Sequence, residues 1–166
     1  DQDIADLWVY FRSIPKSTTP SIDHDLPIYI RWRRPLAFWK LLNKREPRID
    51  LVSSDAMIQR GAYLVETLGH CGECHTSRNF IGGLKYGYWL GGAKNPTGRG
   101  MIPNLTPAKL TWNTEEIVEY LTSGFTPDFD VAGGHMVDVI ENTSKLTDED
   151  RLAIAKYLKA IPEVQK

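Results

Sequence analysis

Apolar residues recur at helical spacing in several segments of this 166-residue chain, and the pattern predicts a mainly helical protein. The clearest segment is 148–162, in which Leu152, Ala155 and Leu158 share one face. Thr147 stands directly before this segment and is a good N-cap. We therefore predict an amphipathic helix over residues 148–162.

A second helix is predicted from residue 54 or 55 to about residue 68, with Ser54 or Asp55 as its N-cap. Its predicted apolar face consists of Ile58, Ala62, Val65 and Leu68. Gly61 lowers the helix propensity of this segment, but a residue without a side chain lets another helix cross closely. We expect the crossing partner to be the helix around Tyr157.

Two further helices are predicted from local signals. Residues 113–124 have Asn113 as N-cap, Glu116 at the third helical position and Gly124 at the C-terminal end. Residues 35–43 could form one short helix, because the proline that opens them suits a first helical turn.

Both cysteines of the chain lie in one short motif, Cys71-Gly-Glu-Cys74-His75. Two thiols three positions apart can each form a thioether with one vinyl group of a haem. The adjacent histidine is then held close enough to ligate the iron. The motif therefore predicts one covalently attached haem c, with His75 as the proximal iron ligand.

Three other uses of a CxxC pair fit this sequence poorly. A zinc site needs about four ligands, usually from two such pairs, and the other histidines have no finger-like spacing. A thioredoxin-like pair follows a strand within a βαβ pattern, whereas this pair follows a predicted helix. A disulfide between residues so close would close a very small loop and add little stability.

The sixth ligand of the iron must come from elsewhere in the chain. The side chains that could supply it are Met57, Met101, Met136, His24, His70 and His135. His70 is tethered to the attachment side, and Met57 is expected in the core. Spacing favours Met136 modestly over Met101, because a residue farther along the chain can fold over the opposite face. His135 is a competitor of its neighbour Met136.

Composition and charge exclude only a few classes of function. With 42% hydrophobic and 25% charged residues, the chain has the composition of an ordinary soluble globular protein. A net charge of −1 does not point to nucleic acid or to an acidic substrate. No apolar run approaches a membrane span, and the chain opens with Asp1-Gln-Asp rather than a secretory signal. Because haem c is attached outside the cytoplasm, we expect a processed or trimmed product of a bacterial periplasmic protein, soluble or peripherally membrane-associated.

Several motifs agree in order along residues 56–162 with a known pattern. They are Arg60-Gly-Ala-Tyr-Leu-Val, Cys71-Gly-Glu-Cys-His-Thr-Ser-Arg-Asn, Pro103-Asn-Leu-Thr-Pro, Leu110-Thr-Trp, Glu116-Ile-Val-Glu-Tyr-Leu-Thr-Ser-Gly and Gly133-Gly-His-Met-Val-Asp-Val-Ile. Together they resemble class I cytochrome c domains, and more narrowly the multi-haem cytochromes c that accompany bacterial periplasmic dehydrogenases. We therefore predict an all-α, class I cytochrome c fold around one covalent haem, preceded by one extra helix and an irregular linker.

The resemblance also implies roles for single residues. It implies Met136 as the distal iron ligand and the carbonyl of Pro103 as the acceptor for the ring of His75. Trp112 resembles the tryptophan that donates a hydrogen bond to a haem propionate. The histidine beside Met136 departs from the family pattern, so ligation by His135 is the alternative.

Residues 1–15 repeat the pattern of residues 148–162 without a gap. The identical pairs are Asp1/Asp148, Asp3/Asp150, Tyr10/Tyr157, Ile14/Ile161 and Pro15/Pro162. Conservative replacements occur at Leu7/Ile154, Phe11/Leu158 and Arg12/Lys159. Two amphipathic helices can be alike by chance. The sharper hypothesis is that residues 1–15 are the closing helix of an earlier haem domain that is missing from this chain.

Residues 16–50 have the composition of a linker that prolines interrupt repeatedly, and residues 51–166 are predicted to form the haem domain. Residues 31–48 contain seven Lys or Arg against one Glu, with aromatic residues interleaved. Such a segment, over residues 29–48, could touch an anionic membrane surface or a partner subunit. We favour the interpretation that its aromatic side chains pack on haem domains and its charges are solvated.

A haem iron with two protein ligands has no open position for oxygen or substrate, which favours one-electron transfer over catalysis. The expected donor is an upstream haem domain or a dehydrogenase, and the expected acceptor is another cytochrome or a terminal oxidase. The alternative is a haem enzyme or ligand-binding haem domain with a labile distal ligand. The sequence supplies no catalytic acid at a recognisable spacing for that alternative.

Overall fold

The computed structural model of this chain describes residues 2–31, 33–43, 54–96, 98 and 100–165. Its α-helices in these ranges are α1 (Gln2–Ser13), α2 (Ile28–Arg31), α3 (Arg34–Asn43), α4 (Ala56–Ala62), α5 (Cys71–His75), α6 (Thr114–Ser123), α7 (Met136–Thr143) and α8 (Asp148–Ala160). The other regular elements are a π-helical segment (Tyr63–Leu68), a 3-10 helix (Tyr86–Tyr88) and the strands β1 (Ala93–Lys94) and β2 (Met101–Ile102). The predicted all-α fold is confirmed, since the strands form one small antiparallel pair.

The chain divides into two compact units, residues 1–41 and residues 42–166. The first unit contains α1, α2 and most of α3. None of the residues of α1 or α3 is buried, and large apolar side chains such as Trp8 and Phe38 are exposed. The helices predicted near the start of the chain and at residues 35–43 are therefore present. The four-residue α2 is an element that the sequence pattern did not predict.

The core of the second unit forms where α4 and α8 cross at Gly61. A Cβ atom added at Gly61 would lie 2.0 Å from the carbonyl oxygen of Ala153 and 2.7 Å from the Cβ atom of Tyr157. The two backbones are therefore in direct contact, and the predicted close crossing is confirmed. The buried residues of this core include Leu64, Val65, Trp89, Leu90, Ile117, Leu121, Ile154, Tyr157 and Leu158.

The helix boundaries follow the capping signals of the sequence. The side chains that cap helix N-termini are Asp55 on α4, Thr147 on α8, and Asn113 with Glu116 as a full capping box on α6. Gly124 ends α6 in the left-handed conformation, with φ of +80°. Local sequence therefore determines where these three helices begin and where α6 ends.

The second helix departs from prediction at its C-terminal half. After Ala62 the chain continues as a π-helix, and it ends with a 2.6 Å hydrogen bond from the Gly69 amide to the Leu64 carbonyl. A π-helix has more residues per turn than an α-helix, so the apolar face shifts along the sequence. The prediction that Leu68 belongs to the buried face is wrong: its side chain is 53% exposed, whereas Leu64 is buried.

Part of the predicted linker lies outside the described residues. This applies to Trp32, to the basic residues Lys44, Arg45 and Arg48, and to the domain boundary predicted after residue 50. Among the helices that the structure does describe, none has the length and apolarity needed to cross a bilayer.

We predict that Gly61→Ala destabilises the second unit by about 2–3 kcal/mol, because the added methyl group meets backbone atoms of α8 that cannot move aside. This loss outweighs the roughly 1 kcal/mol by which alanine favours a helix over glycine. The matched control is Gly87→Ala, since a Cβ atom there meets nothing within 4 Å. Denaturant unfolding measures both variants, and a Gly61→Ala protein as stable as the unchanged chain would contradict this account of the crossing.

Candidate haem-attachment site

The attachment motif forms a helical turn of its own. α5 spans Cys71–His75, so the two cysteines lie three positions apart on one helical face. His70 precedes the turn in the left-handed conformation, with φ of +50°, and this lets the chain change direction after the π-helical segment. Gly72 leaves room for Trp89, whose ring would lie 2.2 Å from a Cβ atom at that position.

The ring of His75 is buried and has a fixed partner. Its Nδ1 atom lies 2.8 Å from the carbonyl oxygen of Pro103. A carbonyl oxygen only accepts hydrogen bonds, so Nδ1 must carry the proton and Nε2 keeps its lone pair for a metal ion. Burial lowers the pKa of His75, and the hydrogen bond to Pro103 opposes this shift. The net effect keeps the imidazole neutral, which is the form that ligates iron.

A parallel bridge and a small sheet hold the Pro103 carbonyl in place. The amide of Gly92 donates a 2.8 Å hydrogen bond to the carbonyl of His75, and Thr76 forms a parallel bridge with Gly92. The strand β1 follows at once and pairs with β2, in which Ile102 stands opposite Ala93. Pro103 comes directly after β2. The small sheet therefore connects the backbone beside His75 to Pro103, whose carbonyl accepts the ring proton of His75.

The segment after Pro103 is anchored to the end of the chain. The side-chain amide of Asn104 donates a 2.8 Å hydrogen bond to the carbonyl of Val164. Its oxygen accepts from both the amide and the hydroxyl of Thr106. These bonds limit the movement of the loop that presents the Pro103 carbonyl.

No disulfide joins Cys71 and Cys74. Cys71 is half-buried, and this burial raises the pKa of its thiol to about 11. The thiol is therefore uncharged near neutral pH, and a thioether at the same place would also be uncharged. Cys74 is exposed. The two sulfur atoms thus suit bonds to a largely apolar group, one side of which reaches solvent.

A hydrogen-bonded group of three side chains lies behind the attachment helix. The hydroxyl of Tyr157 donates to a carboxylate oxygen of Glu66 at 2.5 Å, and the indole N–H of Trp89 donates to the same hydroxyl at 3.3 Å. Burial, and next the hydrogen bond to Glu66, raise the pKa of Tyr157. Tyr157 therefore stays a hydroxyl donor. Because Trp89 packs against Gly72, this group of side chains supports α5 at Gly72.

The candidates for the sixth ligand lie on different elements. Met136 is the first residue of α7 and is half-buried against the core, and His135 before it is exposed. Met101 lies in β2 with its side chain 64% exposed, and Met57 is half-buried in α4. His70 is exposed beside the attachment turn, and His24 belongs to the first unit. Among these side chains, the two methionines that pack on the core are Met57 and Met136.

Trp112 lies between the turn at Thr106 and the start of α6. Its ring is half-buried and meets the ring of Tyr120 edge-on, with centroids 5.2 Å apart and planes at 62°. The ammonium group of Lys159 donates a 2.9 Å hydrogen bond to the Trp112 carbonyl. Sequence reasoning missed this contact, and it missed the contact between Tyr157 and Glu66.

The side chains present fit a covalently bound haem. One helical turn supplies two sulfur atoms, and the adjacent buried imidazole has the tautomer and protonation state that an iron ligand needs. No cluster of three or more His, Cys, Asp or Glu side chains suited to a metal ion occurs within the described ranges.

Comparison with known proteins identifies cytochromes as relatives, although no protein-family model matches the chain. The chain is 52% identical over 167 residues to a diheme cytochrome c-type protein of Cereibacter sphaeroides. It is 36% identical to the cytochrome c subunit of the quinone-dependent alcohol dehydrogenase of Gluconobacter oxydans, and 34% identical to the fructose dehydrogenase cytochrome subunit of Gluconobacter japonicus. Each alignment covers at least 98% of the chain but 55%, 37% and 34% of the respective relative. The chain therefore spans between about a third and just over half of these relatives' lengths.

We predict that Gly92→Ala weakens the hold on His75, because a Cβ atom there would lie 2.9 Å from the Ile102 carbonyl oxygen, beside Pro103. The matched control is Gly82→Ala, which has the same φ of +84° but meets nothing within 4 Å. Both variants incur backbone strain of about 1–2 kcal/mol, and Gly92→Ala adds the steric displacement.

Acid titration of the haem-loaded protein provides the measurement. We expect the histidine ligand of Gly92→Ala to be lost at a higher pH than that of Gly82→Ala, because a displaced acceptor no longer stabilises the ligating tautomer. Equal midpoints for the two variants would contradict this role of the Pro103 carbonyl.

Proposed function

We propose that this chain, a homologue of dehydrogenase-associated c-type cytochromes, transfers single electrons through covalently bound haem c. The observation that carries the proposal is the buried, neutral His75 ring, held by Pro103 directly beside the two attachment cysteines. When bound, the haem supplies an iron that alternates between its ferrous and ferric states. The protein's task is to hold this iron, exclude water and leave a haem edge accessible to partners.

We assign Met136 as the sixth ligand. Its position at the start of α7, half-buried against the core, supports this, and Met101 is mostly exposed. Two protein ligands close the iron to oxygen and substrate, which favours electron transfer. A methionine ligand also gives a higher reduction potential than a second histidine would. His135 is the competing ligand because it lies next in the chain.

We further propose that α1 closes a preceding haem domain. The repeat of the α8 pattern supports this, and so does a contrast in exposure: Tyr10 and Phe11 are 61% and 63% exposed, whereas their counterparts Tyr157 and Leu158 are 0% and 6% exposed. The diheme character of one relative, of which the chain covers 55%, agrees with a second haem. The match is imperfect, because Asp6 stands opposite the fully buried Ala153.

The partners follow from this position in an electron-transfer chain. We propose a dehydrogenase or the upstream haem as donor, and another cytochrome or a terminal oxidase as acceptor, in the bacterial periplasm. The dehydrogenase donor is supported by relatives named as cytochrome subunits of alcohol and fructose dehydrogenases. Residues 29–48 are a candidate contact region, since α3 presents exposed Leu36, Phe38 and Leu41 among basic residues.

We predict that Met136→Ala abolishes the near-infrared methionine-to-iron band of the oxidised protein, because the thioether ligand is removed. The variant should also bind carbon monoxide rapidly when reduced. Met101→Ala is the matched control and should keep the band, as should His135→Ala. A band that survives in Met136→Ala would refute the assignment. Rapid carbon monoxide binding by the unchanged protein would instead support a labile site.

We predict that the full-length gene product contains at least two haems per polypeptide, as measured by pyridine haemochrome absorbance against protein mass. In that product, Phe11→Asp should lower the unfolding temperature of the upstream domain, because its counterpart Leu158 is buried. Val9→Asp is the matched control, since Val9 is as exposed as Phe11 but corresponds to Lys156, which is not fully buried. A ratio of one haem per polypeptide, or equal effects of the two substitutions, would argue against the closing-helix role.

A further inference from the structure

We propose that Lys159 is a positioning residue that fixes the segment carrying Trp112, and through it the propionate end of the haem. The inference rests on the proposed function and on the role that the family resemblance implies for Trp112, which is to hold a propionate of the attached haem. Within the described part of the chain, the hydrogen bonds of the Lys159 side chain go to this segment rather than to the attachment motif or the candidate distal ligand. The positioning effect of these hydrogen bonds on the haem must therefore pass through the Trp112 segment.

The geometry joins one ammonium group to two backbone carbonyls. The Nζ atom of Lys159 lies 2.9 Å from the Trp112 carbonyl oxygen and 3.2 Å from that of Leu110. These carbonyls are two residues apart in a segment that lies between the regular elements, and both face the same ammonium group. A lysine head group is compact and has three N–H donors, so it can serve both acceptors at once.

The side chains of Leu110 and Trp112 pack on the hydrophobic core, and the backbone of the segment is tied to α8 by the hydrogen bonds of Lys159. The other contacts of the segment are local. Upstream, the amide of Leu110 closes a turn onto the carbonyl of Thr106 at 2.9 Å. Downstream, the Asn113 cap begins α6, and Tyr120 supports the ring of Trp112 edge-on. These contacts tie the segment to its neighbours in sequence. Lys159 ties it to α8, whose other side packs on α4 and so on the helix that leads to the attachment turn.

The positive charge of Lys159, like its hydrogen bonds, favours a propionate held at Trp112. A cation held at the backbone of Trp112 stabilises an anionic group bound by that tryptophan. A cation near a haem also favours the reduced state, because reduction lowers the positive charge at the iron. The repeated helix has Arg12 at the matching position, so both copies place a cation there.

The test uses haem-loaded protein, single substitutions and one double variant. Lys159→Ala removes both the donors and the charge, whereas Lys159→Arg keeps both. Lys156→Ala is the matched control, because Lys156 lies one turn earlier on α8 and pairs with Asp55 at 4.0 Å instead. Trp112→Phe, alone and combined with Lys159→Ala, shows whether the lysine acts through the tryptophan.

We expect Lys159→Ala to shift the midpoint potential downwards and to weaken the propionate hydrogen-bonding signature in resonance Raman spectra. It should also speed amide hydrogen exchange in residues 110–113. Lys159→Arg should restore most of each property, and Lys156→Ala should change none. In the Trp112→Phe background, Lys159→Ala should lose most of its effect on the propionate signature.

Two results would overturn the inference. One is an unchanged potential, exchange rate and propionate signature in Lys159→Ala. The other is a potential shift that persists undiminished with Trp112→Phe, since the lysine would then act as a surface charge alone. Failure of the proposed function looks different, because the unchanged protein itself would then lack a covalent haem or its two-ligand spectrum.

Discussion

The crossing of α4 and α8 at Gly61 is the contact on which the rest of the second unit depends. Because the backbones touch there, Tyr157 stands directly over the helix that leads to the attachment turn. Its hydroxyl reaches Glu66 in the π-helical segment and also accepts from Trp89, which packs against Gly72. The close contact of α4 and α8 thus helps to fix the turn that carries the cysteines, through the side chains of Tyr157, Glu66 and Trp89.

Much of the fold could be predicted because its signals are local. The caps at Asp55, Asn113 and Thr147 lie within three residues of the amides they bind, so spacing alone locates them. The close helix crossing was also predictable, because Gly61 lowers the helix propensity of an amphipathic segment, and a close contact with another helix explains a glycine at such a position. The π-helical winding could not be predicted, because the periodicity of apolar residues does not indicate its hydrogen-bonding pattern.

The chemical groups of the candidate site could be predicted from the sequence, but the long-range hydrogen bonds around it could not. The cysteines and His75 are contiguous, whereas the Pro103 acceptor was implied by resemblance to a family rather than by spacing. The bonds from Tyr157 to Glu66 and from Lys159 to Trp112 join residues 91 and 47 positions apart. Only the folded chain brings such pairs together. The repeated helix offered the one available hint, because a tyrosine and a cation recur there at the same two positions.

The π-helical segment Tyr63–Leu68 sets the rotational phase of the residues that come after it in the chain. In an α-helix, each residue turns the chain by about 100° around the axis. A segment that accommodates an additional residue per turn therefore rotates the exit of the helix relative to its entrance. The entrance is fixed by the contact of Gly61 with α8, and the exit leads to His70 and the attachment turn. The angular orientation of the attachment turn relative to the core is thus a property of how many residues separate Gly61 from Cys71, as well as of which residues they are.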